Sequence, residues 1–334
     1  MKSYFPAFDS LRFFASVNIV LRHLSHSDLL SYAKGTSFEP IMEGPFFSTS
    51  VFFLLSGFIY SILFSEQERV PKLKSFMKER FWRLYPLHLI CTLLIFAIIL
   101  YRTHHLDNPT YAIKTLALHI SLLWAFVPEL GHSLNQPSWA LSVFFLCYAL
   151  TPALSKFLNR QNKKTLWFLF LGLWVISILF IIGFNKLPRV FSGINFFSGM
   201  LLGKLFSGNT IPLPKKAVLN DLFLLFSVVL LYVNVRYFRQ VNPKIAYHIV
   251  SPILYSALLL FLANNKGFTV KILSVSWFRA IGKVSFYTYL LHCVVIQFLP
   301  HNLFNTLPGT IMILILLYGG CIVYKKFLSL PVTK

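Results

Sequence analysis

The chain has 334 residues, of which 56% are hydrophobic and 12% charged, with a mean hydropathy of +0.67. A soluble domain carries about 25% charged residues, so too little polar surface remains to face water and a water-soluble globule is excluded. The formal net charge of +21 would point to nucleic acid in a soluble protein. Here the basic residues fall between apolar runs, where they set orientation and meet anionic lipid headgroups, and no nucleic-acid partner is expected. The class that fits is an all-α, polytopic bundle of membrane helices.

The first element, "FDSLRFFASVNIVLRHLSH" at 8–26, reads as a retained helix, since Asp9, Arg12 and Asn18 interrupt its apolar run and no small-x-small cleavage site follows. Further apolar runs follow at 46–64, 84–101, 112–128, 139–155, 166–184, 190–206, 219–237, 247–263, 284–299 and 307–324, which with 8–24 makes eleven candidates. Each is near the length that a bilayer requires. No soluble domain is left over, and residues 1–334 are expected to form one membrane domain.

Charge tests that count. The segment "SEQERVPKLKSFMKERFWR" at 65–83 carries Arg69, Lys72, Lys74, Lys78, Arg80 and Arg83 and is expected to be cytoplasmic. Two helices precede it, so the N-terminus is expected inside; Lys325, Lys326 and Lys334 place the C-terminus inside as well. Two ends on one side require an even number of crossings. Ten spans is therefore preferred over eleven, with one lost in the region 84–128, which also puts the basic loop 156–164 inside. The four cysteines, Cys91, Cys147, Cys293 and Cys321, all lie in apolar runs without a CxxC pair and are expected to be packing residues.

On the first helix, Arg12 and His23 are eleven residues apart, three turns plus about 20°, so they share one face about 16 Å apart along the axis. Asp9 and Ser16 lie on the same side and His26 continues it. Such a stripe has two readings. Asp9 caps the helix, Arg12 snorkels to the inner headgroups and His23 is satisfied by a neighbouring helix; or the stripe lines a hydrated cavity. In the second reading His23 is the natural base, with a free pKa of about 6.5, and Arg12 holds an anion or a developing negative charge.

Further along, Ser56 and Gly57 sit deep in the second run and serve either close packing or a narrow passage. Arg80 and Arg83, one turn apart, either anchor a helix to lipid phosphate or form a phosphate site. His119 is a lone, structural histidine, and His104 and His105 form a loop pair with no carboxylate near in sequence. In "KVSFYTYLLHC", Ser285, Thr288, Tyr289 and His292 fall on one helical face. That makes His292 a second candidate base or relay, with helix-to-helix hydrogen bonding as the alternative. No HExxH, phosphate-binding glycine loop, GxSxG elbow or dinucleotide fingerprint occurs, and no metal site is expected. Asp221 is read near a helix end and Glu129 in a short loop. The scarcity of acidic groups within those runs argues against a cation-coupled transporter.

The arginine-to-histidine spacing in "FPAFDSLRFFASVNIVLRHL" resembles the opening of the acyltransferase family 3 membrane proteins. "VFFLLSGFIYSILF" at 51–64, "RFWRLYP" at 80–86, "INFFSGMLLG" at 194–203 and "IGKVSFYTYLLHCVV" at 281–295 resemble later motifs of that family in the same order. One departure stands out. In "PSWALSVFFLCYALTP" at 137–152, Ala140 stands where Ser is common and Phe144 where the family has Glu, while Trp139, Ser142, Tyr148 and Pro152 are retained. The change removes a buried carboxylate as partner for an Arg or His.

The resemblance implies an integral enzyme of the bacterial cytoplasmic membrane. It would move an acyl group, acetyl above all, from cytosolic acyl-CoA to a hydroxyl of a cell-envelope glycan or lipid-linked sugar. No bound cofactor is implied. His23 and Arg12 are then the catalytic residues and Arg80 and Arg83 the acyl-CoA site. Ser16, Ser56, Trp139, Ser142, Ser285 and Tyr289 are expected to line the cavity. The chain either acylates its acceptor itself or hands the group to a separate envelope-synthesis partner. A transporter or flippase of a lipid-linked glycan using the same cavity is the competing class, and a scaffold without chemistry the third.

Overall fold

The computed structural model describes residues 4–26, 30–43, 49–103, 109–127, 134–183, 189–299 and 306–328. Among them every regular element is helical and none is a strand. That is what hydrocarbon dictates: with no water to satisfy N–H and C=O groups, a helix pairs them within itself. The principal helices are α1 (Ala7–His26), α2 (Thr49–Leu63), α3 (Leu73–Thr103), α4 (Pro109–Ile120), α5 (Trp139–Asn159) and α6 (Lys163–Gly183). They are followed by α7 (Ile194–Ser207), α8 (Ala217–Val233), α9 (Ser251–Ala263), α10 (Ser276–Gly282), α11 (Ser285–Phe298) and α12 (Leu307–Leu328).

Among the described residues, seven helices are long and apolar enough to cross a membrane, and eight if α10 and α11, bent by 56°, form one broken span. The ten spans expected from sequence are not reached by this measure, for identifiable reasons. The run 112–128 is not one continuous helix. α4 has 12 residues, about 18 Å, and the chain then turns at Leu122, with φ of 59°, into a short 3₁₀ turn at Trp124–Phe126. α2 has 15 residues and is short, while Asp9, Arg12 and Arg22 charge α1. Within the basic stretch 65–83, Arg69 lies in a short 3₁₀ turn and Lys72 before the helix, while Lys74, Lys78, Arg80 and Arg83 fall in the first turns of the 31-residue α3.

Small residues set the closest contacts. A Cβ on Gly57 of α2 would stand 1.9 Å from the Phe196 carbonyl oxygen, and one on Gly199 of α7 would stand 2.0 Å from that of Leu54. Gly57 is therefore a packing glycine, and α2 and α7 form a small-residue seam. Gly282 plays the same part between α10 and α1, where a Cβ would lie 1.9 Å from the Asp9 carbonyl oxygen. Phe53, Phe58, Phe196, Trp124 and Tyr255 fill the interior, and Phe168, Leu171, Ile176, Leu179 and Ile182 of α6 stand exposed on the outer face. All four cysteines are free, with Cys91, Cys147 and Cys321 buried. His104, His105 and Glu129, and the side chain of His26, lie outside the described residues.

Candidate active site

A cavity of about 510 Å³ opens between α1, α2, α3, α5, α11 and α12. Its wall follows α2 from Leu63 to Thr49, which is about 21 Å of helix axis. The volume suits a small organic ligand, for which sites of roughly 300–1,000 Å³ are usual.

One end of the cavity is strongly basic. Arg12, Arg80, Arg83, Lys283 and Lys325 line it, and Asp9 is the one carboxylate among the lining residues. Asp9 accepts from Arg12 Nη1 at 2.6 Å and from the Tyr4 hydroxyl at 2.6 Å through its other oxygen. Burial, followed by that bond to Asp9, holds the Tyr4 hydroxyl above the ordinary phenol range. Arg80 bonds Glu79 at 2.8 Å, and its guanidinium packs over the rings of Tyr60 and Phe76, 5.4 and 5.2 Å from their centroids. Its Nε is buried with no hydrogen-bond partner. This cation is fixed by aromatic faces while part of its donor capacity stays unused.

Beyond the basic end the wall turns apolar and aromatic, with Phe52, Ile59, Leu141, Phe144 and Tyr148. Phe144 stacks on Phe53 with centroids 4.1 Å apart and contacts the Tyr148 ring at 5.6 Å. The position at which the resembling motif carries a carboxylate is thus taken up by an aromatic stack.

Tyr289 lines the inner reach of the cavity, and its hydroxyl donates to the Pro137 carbonyl at 2.5 Å. One turn further along α11, the fully buried His292 meets His23 of α1, with His292 Nε2 3.2 Å from His23 Nδ1 and the rings 4.9 Å apart. His23 Nδ1 lies 2.8 Å from the Ile19 carbonyl and His292 Nδ1 2.7 Å from that of Tyr289. A carbonyl can only accept, so both Nδ1 atoms carry the hydrogen, and His292 Nε2, which faces the His23 Nδ1–H, is the lone-pair nitrogen of its ring. His292 Nε2 is then an acceptor for the shared Nδ1–H of His23, and it also lies 3.5 Å from Cys293 Sγ. A proton taken up at His23 Nε2 would create an imidazolium whose Nδ1–H is already held by two acceptors.

The residues singled out by sequence do not form one cluster. Arg12 gathers with Arg80 and Arg83 at the basic end, and Ser56, Ser285 and Tyr289 line the same cavity. Eleven residues of helix keep Arg12 about 16 Å from His23, so an oxyanion role beside that histidine does not fit its position. Ser16 turns away from the cavity to bond the Tyr318 hydroxyl and the Phe13 carbonyl. Trp139 packs on Phe53 with centroids 6.1 Å apart, and Ser142 is buried with its Oγ unpartnered. None of these three is among the lining residues, and neither are His23 and His292. The outlying His119 bonds Thr115 O at 2.8 Å and stacks on Trp124, as a structural histidine does.

Sequence reasoning missed Lys283 and Lys325. Lys325 was read only as an orientation charge, and Lys283 stood directly before the polar stripe of α11 without belonging to its face. Among the described residues no group of three or more His, Cys, Asp or Glu could hold a metal ion.

Comparison with known proteins gives this geometry a family. The model of an acyltransferase domain, acyltransferase family 3, matches residues 5–325. The chain is 28% identical over 172 residues to the acyltransferase MdmB of Streptomyces mycarofaciens, covering 50% of this chain and 43% of that protein. It is 31% identical over 210 residues to the O-acetyltransferase OatA of Staphylococcus aureus, covering 57% and 32%. With the peptidoglycan O-acetyltransferase OatA of Listeria monocytogenes it shares 25% identity over 374 residues, covering 100% of this chain and 56% of that protein. The chain thus spans between about a third and just over half the length of these relatives. No solved structure matches it.

Proposed function

Because the chain belongs to acyltransferase family 3, we propose that it is a membrane O-acyltransferase that moves an acetyl group from cytosolic acetyl-CoA to a hydroxyl of a cell-envelope glycan. The observation that carries this reading is one cavity with five cations at one end and Tyr289, one turn from the paired histidines, at the other. Paired guanidinium groups are suited to the phosphates of the donor. The aromatic stretch along α2 is suited to its apolar arm.

In the reaction, His23 Nε2 takes the proton from the acceptor hydroxyl as its oxygen attacks the thioester carbon. The C–S bond then breaks, and the coenzyme A thiolate leaves with the proton returned from His23. His292 stabilises the imidazolium through His23 Nδ1–H, or serves as relay. The termini and the basic end face the cytosol of a bacterial cytoplasmic membrane. The eight spans counted by length and apolarity are joined by α1, whose Asp9 and Arg12 face the cavity, and by the short α2 along its wall; that makes ten crossings in this reading, an even number that keeps both ends on one side.

The test is the O-acetyl content of envelope polysaccharide in cells carrying wild type, His23→Ala or neither, at equal membrane level. Acetylation with wild type and its loss in the variant support the reading. A flippase would instead move a lipid-linked glycan with no consumption of acetyl-CoA.

A further inference from the structure

The five cations at the mouth come from four places in the chain: α1, α3, the break between α10 and α11, and α12. They are not equivalent. Arg12 is paired with Asp9 and Arg80 with Glu79, whereas Arg83, Lys283 and Lys325 are in no ion pair among the described residues. Lys325 lies in the electrostatic field of Lys283 and Arg83, with Asp9 across the mouth. A mouth lined by five cations and one carboxylate carries an excess of positive charge that suits an anion.

The fold aims them deliberately. α10 and α11 meet at a bend of 56°, and the bend is where Lys283 stands. Gly282 lets it press against the α1 backbone at Asp9, at a distance that no Cβ would permit. Ser285, Phe286 and Tyr287, the first turn of α11, line the same cavity. Their amides have no acceptor within the helix, and the positive end of a half-helix is added to the field.

Arg80 is the cation fixed deepest, its side chain 14% exposed and packed on Tyr60 and Phe76, whereas Lys325 is half-buried and Arg83 and Lys283 are exposed towards the mouth. A coenzyme A thioester has a matching order: the thioester end goes deepest, the diphosphate follows, and the ribose 3′-phosphate comes last. A phosphate monoester concentrates about −1.5 to −2 charges on three oxygens, a compact target for ammonium groups. The extended diphosphate is better matched by guanidinium forks.

We propose that Lys283 and Lys325 form a second phosphate subsite, specific for the 3′-phosphate of the coenzyme A donor, beside a diphosphate site at Arg80 and Arg83. This rests on the acyl-CoA reading above. The phosphate of an anionic lipid headgroup has the same chemistry, so the test separates the two.

The protein, in nanodiscs of phosphatidylcholine alone or with phosphatidylglycerol, is titrated with coenzyme A and with 3′-dephospho-coenzyme A. Wild type is expected to prefer coenzyme A on the order of tenfold. Lys283→Ala combined with Lys325→Ala is expected to bring that ratio close to one while leaving the affinity for the dephospho form near that of wild type. Lys283→Arg should keep the preference. The ratio is read within one preparation, so a reduced folded fraction does not change it. A double variant that keeps the full preference, or a wild type without one, overturns the subsite. A lysine effect confined to discs with phosphatidylglycerol assigns the pair to a lipid headgroup and overturns it too. Wild type that binds neither nucleotide refutes the acyl-CoA reading itself, and the subsite falls with it.

Discussion

His292 Nε2 lies 3.2 Å from Nδ1 of His23, a contact between residues 269 positions apart in the chain. Each ring is fixed at its own Nδ1 by a carbonyl of its own helix, Ile19 for one and Tyr289 for the other. The pair is therefore oriented before any substrate arrives.

That orientation separates the effects of the two histidines. His23→Ala removes the proposed base and is expected to lower kcat by about 10²–10⁴-fold. His292→Gln keeps bulk and hydrogen bonding but loses the imidazole, and a smaller loss of kcat is expected. Since neither residue lines the basic mouth, the KM for acetyl-CoA should stay near wild type in both. Steady-state kinetics on purified protein check this, and a large rise in KM would place the pair at the donor site instead.

Arg80 should behave in the opposite way. Its guanidinium is clamped between Glu79 and the rings of Tyr60 and Phe76, and a lysine cannot reproduce that planar contact. Arg80→Lys is expected to raise KM for acetyl-CoA by roughly tenfold with little change in kcat. A fall in kcat at unchanged KM would remove Arg80 from donor binding.

Gly57 tests the packing of α2 on α7. Its Cβ position lies 1.9 Å from a backbone oxygen, which is not a flexible neighbour that can move aside. Gly57→Ala is expected to destabilise the bundle by about 1–3 kcal/mol, seen as a lower melting temperature in detergent. A melting temperature equal to wild type would mean that the seam is looser than described.

Ser16 is the informative neutral position. It shares the stripe of Arg12 and His23 in sequence, yet its hydroxyl is bonded to Tyr318 and Phe13. Ser16→Ala should cost about 1 kcal/mol of stability and leave kcat and KM within about twofold. A strong kinetic defect would return Ser16 to the cavity wall.

The membrane class, the helical fold and the family were legible in the sequence, because each depends on local facts. Apolar runs of bilayer length, basic gaps and short motifs in fixed order are properties of contiguous residues. The parity of charges also pointed to the region 84–128 as irregular, and the 112–128 run does turn after a 12-residue helix. Length and apolarity alone did not reproduce the ten spans, since α1 and α2 owe their character to what they pack against rather than to their own hydropathy.

The division of the site was decided only by tertiary structure. Spacing placed Arg12, Ser16 and His23 on one face of α1. Which part of that face meets a cavity, which meets α12 and which meets α11 depends on neighbours far away in sequence. Lys283 and Lys325 reach the mouth through a helix break that no periodicity signals and a glycine approach that needs the α1 backbone beside it. Phe144 could be seen to replace a carboxylate, but its stack on Phe53 required two helices in register. Local composition fixes what a segment can be. Long-range packing, through contacts that no single segment carries, fixes what its side chains face.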